Sequence, residues 1–147
     1  QANMIDVLLH SINKIEAKYD ILLVLQPTSP LRKSEDIDSA IEYCVKNNLS
    51  SVVSVCQSAK PLHWHHVIDK NSKLSNAISP ISCETNRQQF ETTYIPNGAI
   101  FLAKTSFFLN NKAFYTDSTY AFIMSLENSV DIDCQYDMSV AELLLTN

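Results

Sequence analysis

The chain has 147 residues, 46% of them hydrophobic, and carries a formal net charge of −5 at pH 7. Its length and apolar content predict one soluble domain, or part of one, with a real core. The negative charge argues against nucleic acid and anionic membranes as partners, since both select basic surfaces. No apolar run approaches the roughly 20 residues that span a bilayer, and no signal-peptide pattern opens the chain, so the cytoplasm is the expected location.

The cysteine and glycine content indicates which kinds of site the chain can contain. Cys44, Cys56, Cys83 and Cys134 lie far apart without a CxxC pair, which favours buried free thiols over a zinc site or a disulfide framework. Phosphate-cradling loops are built from glycines. Because Gly98 is the only glycine, the chain cannot contain such a loop of its own.

The first third of the chain predicts alternating helices and strands. Apolar residues at helical spacing indicate an amphipathic helix from Asn3 to about Tyr19. The aliphatic run 21–25 is typical of a strand covered on both faces. Ser34 is expected to cap a second helix, and 51–56 forms the next strand. Residues 21 to 56 therefore predict a βαβ unit with parallel strands.

The remainder predicts further strands and a closing helix. The pattern weakens from residue 57 to 90, where a polar turn suggests a hairpin-like excursion, with Trp64, Val67 and Ile68 as surface or core residues. The turn signal Pro96-Asn97-Gly98 leads into a strand. The expected strands are Ala99–Ala103, Tyr120–Met124 and Val130–Asp133, and Gln135–Thr146 is expected to be a helix with Met138, Ala141, Leu144 and Leu145 facing inward.

Two segments carry the candidate chemistry. Pro27 and Pro30 stiffen the loop after the first strand. In α/β folds, ligands bind beyond the carboxyl ends of the strands. The loop residues predicted to lie at this position are Gln26, Thr28, Ser29 and Arg32. An ordinary loop is the alternative. Asp131 and Asp133 lie two apart, so an extended backbone places both carboxylates on one face, where they can hold one hard cation such as Mg²⁺. The alternative is that Asp133 only caps the final helix.

The run LLVLQPTSPLR, residues 22–32 with Ile21 before it, resembles the second signature of the acylneuraminate cytidylyltransferases, or CMP-sialic acid synthetases. SVVSVC at Ser51–Cys56, the run Asn86–Gln89, PNGAIF at Pro96–Phe101 and VDID at Val130–Asp133 follow in the family's order and spacing. The resemblance covers nearly the whole chain. It does not cover the family's first strand and its loop rich in glycine, arginine and lysine.

The resemblance implies an α/β, Rossmann-like nucleotide-diphospho-sugar transferase fold, with a mostly parallel sheet flanked by helices and an amino-terminal truncation. Residues 1–147 would be the carboxy-terminal part of a single cytidylyltransferase domain, with an excursion at about 57–95 that serves dimerisation. The implied reaction transfers CMP from CTP to a nine-carbon acidic keto sugar with Mg²⁺, in a homodimer. A chain without the glycine-rich loop is expected to be inactive alone.

The resemblance also assigns roles to individual residues. Asp131 and Asp133 would bind Mg²⁺, and Arg87 would grip the sugar carboxylate, although composition alone favours a solvated arginine. Gln26 and Asn97 would bond the sugar through their amides, and either His63 or Lys60 would take the place of a family lysine. Phe101 stands where tyrosine is frequent, and Phe114 and Tyr115 match an aromatic pair that lines the sugar pocket, with core packing as the alternative.

These departures leave the sugar open between sialic acid and a less hydroxylated legionaminic or pseudaminic type. Two other functions remain as alternatives. One is a cytidylyltransferase for the eight-carbon sugar Kdo, against which the QPTSPLR loop speaks. The other is a non-catalytic module for dimerisation or sugar binding.

Overall fold

A computed structural model describes residues 3–78, 86, 88 and 90–146. The chain divides into two compact units, Gln1–Cys56 with Pro96–Asn147, and Gln57–Ile95. The helices are α1 Met4–Lys14, α2 Ser34–Lys46, α3 Thr105–Asn111 and α4 Gln135–Leu145, and the strands are β1 Ile21–Val24, β2 Ser51–Gln57, β3 His66–Ile68, β4 Leu74–Asn76, β5 Tyr94–Lys104 and β6 Thr119–Ile123.

The first unit is built on a mixed four-stranded sheet with the order β1-β5-β2-β6. β1 pairs antiparallel with β5, from Ile21 opposite Lys104 to Val24 opposite Phe101. β2 pairs in parallel with β6. Lys104 N donates to Ser50 O and Ile100 N donates to Ser54 Oγ, so β5 also runs opposite to β2. The carboxyl ends of β1, β2 and β6 therefore meet the amino-terminal half of β5 at one edge.

The sheet has packed residues on both faces. Successive side chains of each strand point to opposite faces, so each strand contributes to both layers of the core. On one face, Ile21 and Leu23 of β1 pack with Ala40 and Cys44 of α2. On the other face, Leu22 and Val24 pack with Phe108 of α3 and with the apolar stripe of α1, which consists of Ile5, Leu8, Leu9 and Ile12. The α/β architecture with helices flanking the sheet is thus confirmed; β1, β2 and β6 run in the same direction, and β5 makes the sheet mixed because it runs opposite to both of its neighbours.

Several predicted boundaries are wrong in detail. α1 ends at Lys14 rather than near Tyr19. Ser34 is the first helical residue of α2 and not its cap; instead Asp36 Oδ2 accepts from the backbone N of Lys33 at 2.9 Å. In α4, Ala141 is buried as predicted, but Met138, Leu144 and Leu145 are 40%, 37% and 68% exposed, so the prediction that these three face inward is wrong.

The three cysteines among the described residues are free thiols, but the predicted burial is wrong for Cys134. Cys44 and Cys56 are buried, and Cys134 is exposed. Burial raises the pKa of Cys44, which keeps this thiol protonated. Cys83 lies outside the described residues.

The second unit contains the predicted hairpin. β3 and β4 pair antiparallel, and Asp69 Oδ1 accepts from the backbone N of Asn71 and Lys73 in the turn between them. Val67 and Ile68 are more than half exposed. The role of this unit in dimerisation stays a prediction. Within the described ranges, no helix combines the length and the apolar character needed to cross a membrane.

Two leucines of different burial should differ in how much they contribute to the free energy of unfolding. Leu102 of β5 is fully buried, whereas Leu145 of α4 is 68% exposed. Leu102→Ala should lower the free energy of unfolding by about 2–5 kcal/mol, because it leaves a cavity between packed layers. Leu145→Ala should change it by less than about 0.5 kcal/mol. Urea unfolding followed by circular dichroism measures both, and equal losses would contradict the assignment of the core.

Candidate active site

The loop after β1 is fixed to the sheet by its own backbone and by Arg32. Arg32 Nη1 donates to Ala99 O of β5 at 2.7 Å and to Gln26 O at 3.2 Å. Ser29 N donates to Gln26 O, and the buried Ser29 Oγ donates to Asn97 O, both at 3.3 Å. Ser29 and one nitrogen of Arg32 thus hold the loop in place. Their predicted contacts with substrate stay predictions.

The segment after β6 returns to the same loop. Ile132 N donates to Thr28 O at 2.8 Å. The predicted strand Val130–Asp133 is wrong, since these residues belong to none of the six strands. One backbone hydrogen bond to a loop does not form the repeated hydrogen bonding of a β-ladder. It does hold the segment next to the loop after β1, and Asp131 precedes the bonded residue.

Gly98 is where the two segments meet. It lies inside β5 with φ +70°, a conformation that favours glycine. A Cβ atom at this position would lie 2.7 Å from Gln26 Oε1 and 2.9 Å from Asp131 Oδ2. The absence of a side chain therefore lets the Gln26 carboxamide and the Asp131 carboxylate converge over the backbone of β5.

The two predicted metal ligands have different surroundings. Asp131 Oδ1 is buried and has no hydrogen-bond partner. A buried carboxylate oxygen without a partner is costly, so this atom is suited to receive a cation or a donor from a ligand. Asp133 is exposed. No cluster of three or more histidine, cysteine or acidic side chains placed to hold a metal occurs among the residues described.

The amino-terminal end of α4 follows directly. The Asp137 carboxylate accepts hydrogen bonds from the Cys134 side chain and from the backbone N of Asp133 and Cys134, and these bonds lower the pKa of Asp137. Asp137 thus performs the capping role that the sequence left open for Asp133. The Asp133 carboxylate is not needed for that purpose.

Asn97 is almost fully buried, and its amide is engaged within the protein. Asn97 Oδ1 accepts from Ser54 Oγ at 2.5 Å and from Ala99 N at 3.2 Å. Asn97 Nδ2 donates to Ser129 Oγ at 2.8 Å and lies 3.4 Å from Met124 Sδ. A sugar could bond this amide only by replacing one of these partners, so the predicted contact stays a prediction.

The predicted aromatic residues form a cluster of their own. Phe101 and Phe114 are buried in the core with Phe108, and the ring centroids of Phe101 and Phe114 are 5.5 Å apart. Tyr115 packs edge-on against Phe101 and is 54% exposed. Among the predicted residues Phe101, Phe114 and Tyr115, Tyr115 has the most exposed ring and is the most accessible to a ligand.

The last two predicted residues lie elsewhere in the chain. His63 belongs to the second unit, where its ring stacks on Phe90 at 5.1 Å between centroids and its Nδ1 is buried without a partner. Arg87 lies outside the described residues. Its predicted role as a sugar-carboxylate ligand stays a prediction.

Sequence reasoning missed Ser54, Ser129 and the close packing around Gly98. The one available signal was a serine in the middle of SVVSVC, an otherwise apolar strand. A hydroxyl at a core position requires a buried partner. The partner of Ser54 lies 43 residues away, which local pattern cannot reveal.

No protein-family model matches the chain. Sequence comparison finds N-acylneuraminate cytidylyltransferases from Streptococcus agalactiae serotype III, 36% identical over 93% of this chain, and from Escherichia coli O18:K1:H7, 35% identical over 96%. The predicted resemblance to the acylneuraminate cytidylyltransferases is confirmed. The chain spans about one third of the length of these relatives, since it covers 33% of each.

The chain is also similar to the CMP-N,N'-diacetyllegionaminic acid synthase of Legionella pneumophila. That synthase is 33% identical over 94% of the chain, which covers 59% of that protein.

Two solved structures share the fold over the whole chain. A 4-diphosphocytidyl-2C-methyl-D-erythritol synthase from Anaerococcus prevotii gives a TM-score of 0.64 at 12% identity, and the match covers 68% of it. A CMP:2-keto-3-deoxy-manno-octonic acid synthetase, solved with CTP, gives 0.62 at 15% identity and 70% coverage. The Rossmann-like fold expected from the cytidylyltransferase resemblance is therefore confirmed.

The packing around Gly98 predicts the effect of adding one methyl group. Gly98→Ala should lower the free energy of unfolding by about 1–3 kcal/mol, because the left-handed backbone strains a Cβ and Gln26 and Asp131 must move. Adding Gln26→Ala removes one of the clashing atoms, so the double variant should lose less stability than the sum of the two single variants. Urea unfolding measures this, and a Gly98→Ala protein as stable as the wild type would refute the packing.

Proposed function

We propose that this chain forms part of an enzyme that transfers CMP from CTP to a nine-carbon acidic keto sugar, sialic acid or a related nonulosonic acid, and releases pyrophosphate. The sequence relatives named for this reaction support the proposal. The structural observation that carries it is the convergence of Gln26 and Asp131 over Gly98, with one buried carboxylate oxygen left without a partner.

The reaction requires that the two substrates be positioned and that negative charge be stabilised, and groups at this edge of the sheet are placed for both. The anomeric hydroxyl oxygen of the sugar forms a bond to the α-phosphorus of CTP, the bond from that phosphorus to the bridging oxygen breaks so that pyrophosphate leaves with the electron pair, and the hydroxyl proton passes to water. Positioning and electrostatic stabilisation dominate such phosphoryl chemistry. The held loop after β1 and the fixed end of β5 supply rigid positions for both tasks.

Magnesium is the proposed cofactor, and Asp131 with Asp133 would hold it. Magnesium commonly takes one or two protein carboxylates and completes its shell with water and substrate phosphates. The buried, unpartnered Asp131 Oδ1 and the exposed Asp133 fit that pattern. When bound, the ion would neutralise negative charge on the α-phosphate and the leaving group.

On the sugar side, the Gln26 carboxamide is the described group that we propose as a hydrogen-bonding partner. Arg87 would bind the sugar carboxylate through two parallel bonds. Thr28, Asn97, His63 and Tyr115 are proposed as further contacts, in keeping with the resemblance. The relative named for diacetyllegionaminic acid keeps that sugar type and sialic acid together as candidate substrates.

The assembly and location are part of the same proposal. The excursion at 57–95, with its exposed Val67, Ile68 and Leu74, would pair two copies of the chain. We expect the homodimer to act in the cytoplasm, where CTP is available.

The test uses protein produced from the complete gene, with CTP, Mg²⁺ and, in separate reactions, sialic acid, diacetyllegionaminic acid and Kdo. Pyrophosphate release and CMP-sugar formation should occur with a nine-carbon sugar. Asp131→Asn and Asp133→Asn should each lower kcat by about 100-fold or more, because charge stabilisation is lost without loss of side-chain volume.

Asp38→Asn is the matched control, since Asp38 is an exposed aspartate of α2, and it should leave kcat unchanged. Transfer to Kdo alone would overturn the choice of sugar. Full activity in both Asp131→Asn and Asp133→Asn would overturn the assignment of the metal ligands.

A further inference from the structure

Ser54 of β2 is a fully buried polar residue at the edge of the sheet that holds the site. Its Oγ accepts from Ile100 N at 2.7 Å and donates to Asn97 Oδ1 at 2.5 Å. Both partners belong to β5, on either side of Gly98 and Ala99. Ser54 therefore bridges the stretch of β5 in which the left-handed backbone of Gly98 interrupts the regular strand.

The backbone N of Ala99 fixes which way the Asn97 amide faces, and the Ser54 hydroxyl donates to the same amide oxygen. Ala99 N is a donor and meets Asn97 Oδ1, so the atom on that side must be the amide oxygen. The nitrogen then faces Ser129 Oγ, which in turn donates to Ser125 O. One amide thus joins β2, β5 and the segment that leads from β6 to Asp131.

The same residue is linked to the loop after β1. Asn97 O accepts from Ser29 Oγ, and Ser29 follows Gln26 by three residues. Asn97 also directly precedes Gly98, over which Gln26 and Asp131 converge. A shift of Asn97 would therefore change the positions of both side chains.

We infer that Ser54 is a positioning residue of the active site, acting through Asn97. It is hydrogen-bonded to neither Gln26 nor Asp131; it donates to the side-chain oxygen of Asn97 and accepts from the backbone N of Ile100, and these two bonds hold β5 on either side of Gly98. The inference rests on the proposed function for its catalytic consequence, and on the hydrogen bonds alone for its structural one.

Ser51 provides a matched control on the same strand. It is also fully buried, and its Oγ lies 2.7 Å from Phe114 O and 3.4 Å from Leu102 O, at the other end of β2. Ser54→Ala and Ser51→Ala each remove one buried hydroxyl from β2, so their effects on global stability should be comparable.

The first measurement is steady-state kinetics of both variants in protein from the complete gene. Ser54→Ala should lower kcat by about 10- to 100-fold with little change in the KM for CTP, because small misplacement of reacting groups slows the chemical step. Ser51→Ala should keep the kcat of the wild type. Equal kcat values in the two variants would overturn the inference.

The second measurement does not require activity. The Ala99 amide hydrogen is bonded to Asn97 Oδ1, so its exchange rate, followed by NMR, reports on how firmly Asn97 is held. At matched global stability, Ser54→Ala should speed this exchange at least about 10-fold relative to Ser51→Ala. Equal exchange would also overturn the inference.

The two measurements separate the proposals. Wild-type protein without CMP transfer would refute the proposed function, and the exchange rates would still decide the role of Ser54. If Ser54→Ala does not fold, Ser54→Cys replaces it in both measurements, since a thiol keeps the shape of the side chain, with a somewhat larger atom, but donates and accepts weakly. A Ser54→Cys protein that matches the wild type in kcat and in Ala99 exchange would contradict the inference.

Discussion

The close approach of Gln26 and Asp131 to the backbone of Gly98 is the constraint on which the site depends. Gln26 and Asp131 are both distant from Gly98 in sequence, and the fold brings them together there. A methyl group on Gly98 would displace both side chains. This arrangement requires a left-handed backbone inside β5, which glycine adopts without a steric cost. The only glycine in the chain is therefore located where two candidate functional side chains converge.

The mixed sheet explains how three distant segments reach this point. β5 runs opposite to its two neighbours and lies between β1 and β2, so its amino-terminal half meets the carboxyl ends of the parallel strands. The segments that follow β1 and β6 both reach β5 at Gly98. Arg32, Asn97 and Ile132 supply hydrogen bonds that hold these loops together. The site is thus rigid because its polar groups are bonded to one another.

The sequence predicts the parts of this fold that depend on apolar burial. The strand at Ile21 and the helix from Ser34 were recognisable because their patterns match covered faces of a sheet. The candidate residues Gln26 and Asp131 were also found, through motifs in the family order. The local pattern wrongly predicted a strand at Val130–Asp133. This segment pairs with no strand, and its Ile132 N donates to Thr28 O in the loop after β1.

Other features could not be predicted because they depend on contacts between distant residues. The tripeptide Pro96-Asn97-Gly98 indicates a turn, yet tertiary packing keeps it inside β5. The periodicity of α4 gives an apolar stripe but cannot show that Leu145 stays exposed. Ser54 looked like an interruption of an apolar strand, and its importance is visible only when Asn97 is seen beside it.

The most direct test of the central claim is a crystal structure of the protein from the complete gene with CTP and Mn²⁺ in place of Mg²⁺. The anomalous signal locates the metal. We expect a peak within about 2.5 Å of Asp131 Oδ1, next to the α-phosphate, with Gly98 at positive φ beneath it. A metal held elsewhere, with Asp131 Oδ1 bonded to a protein donor, would contradict the account.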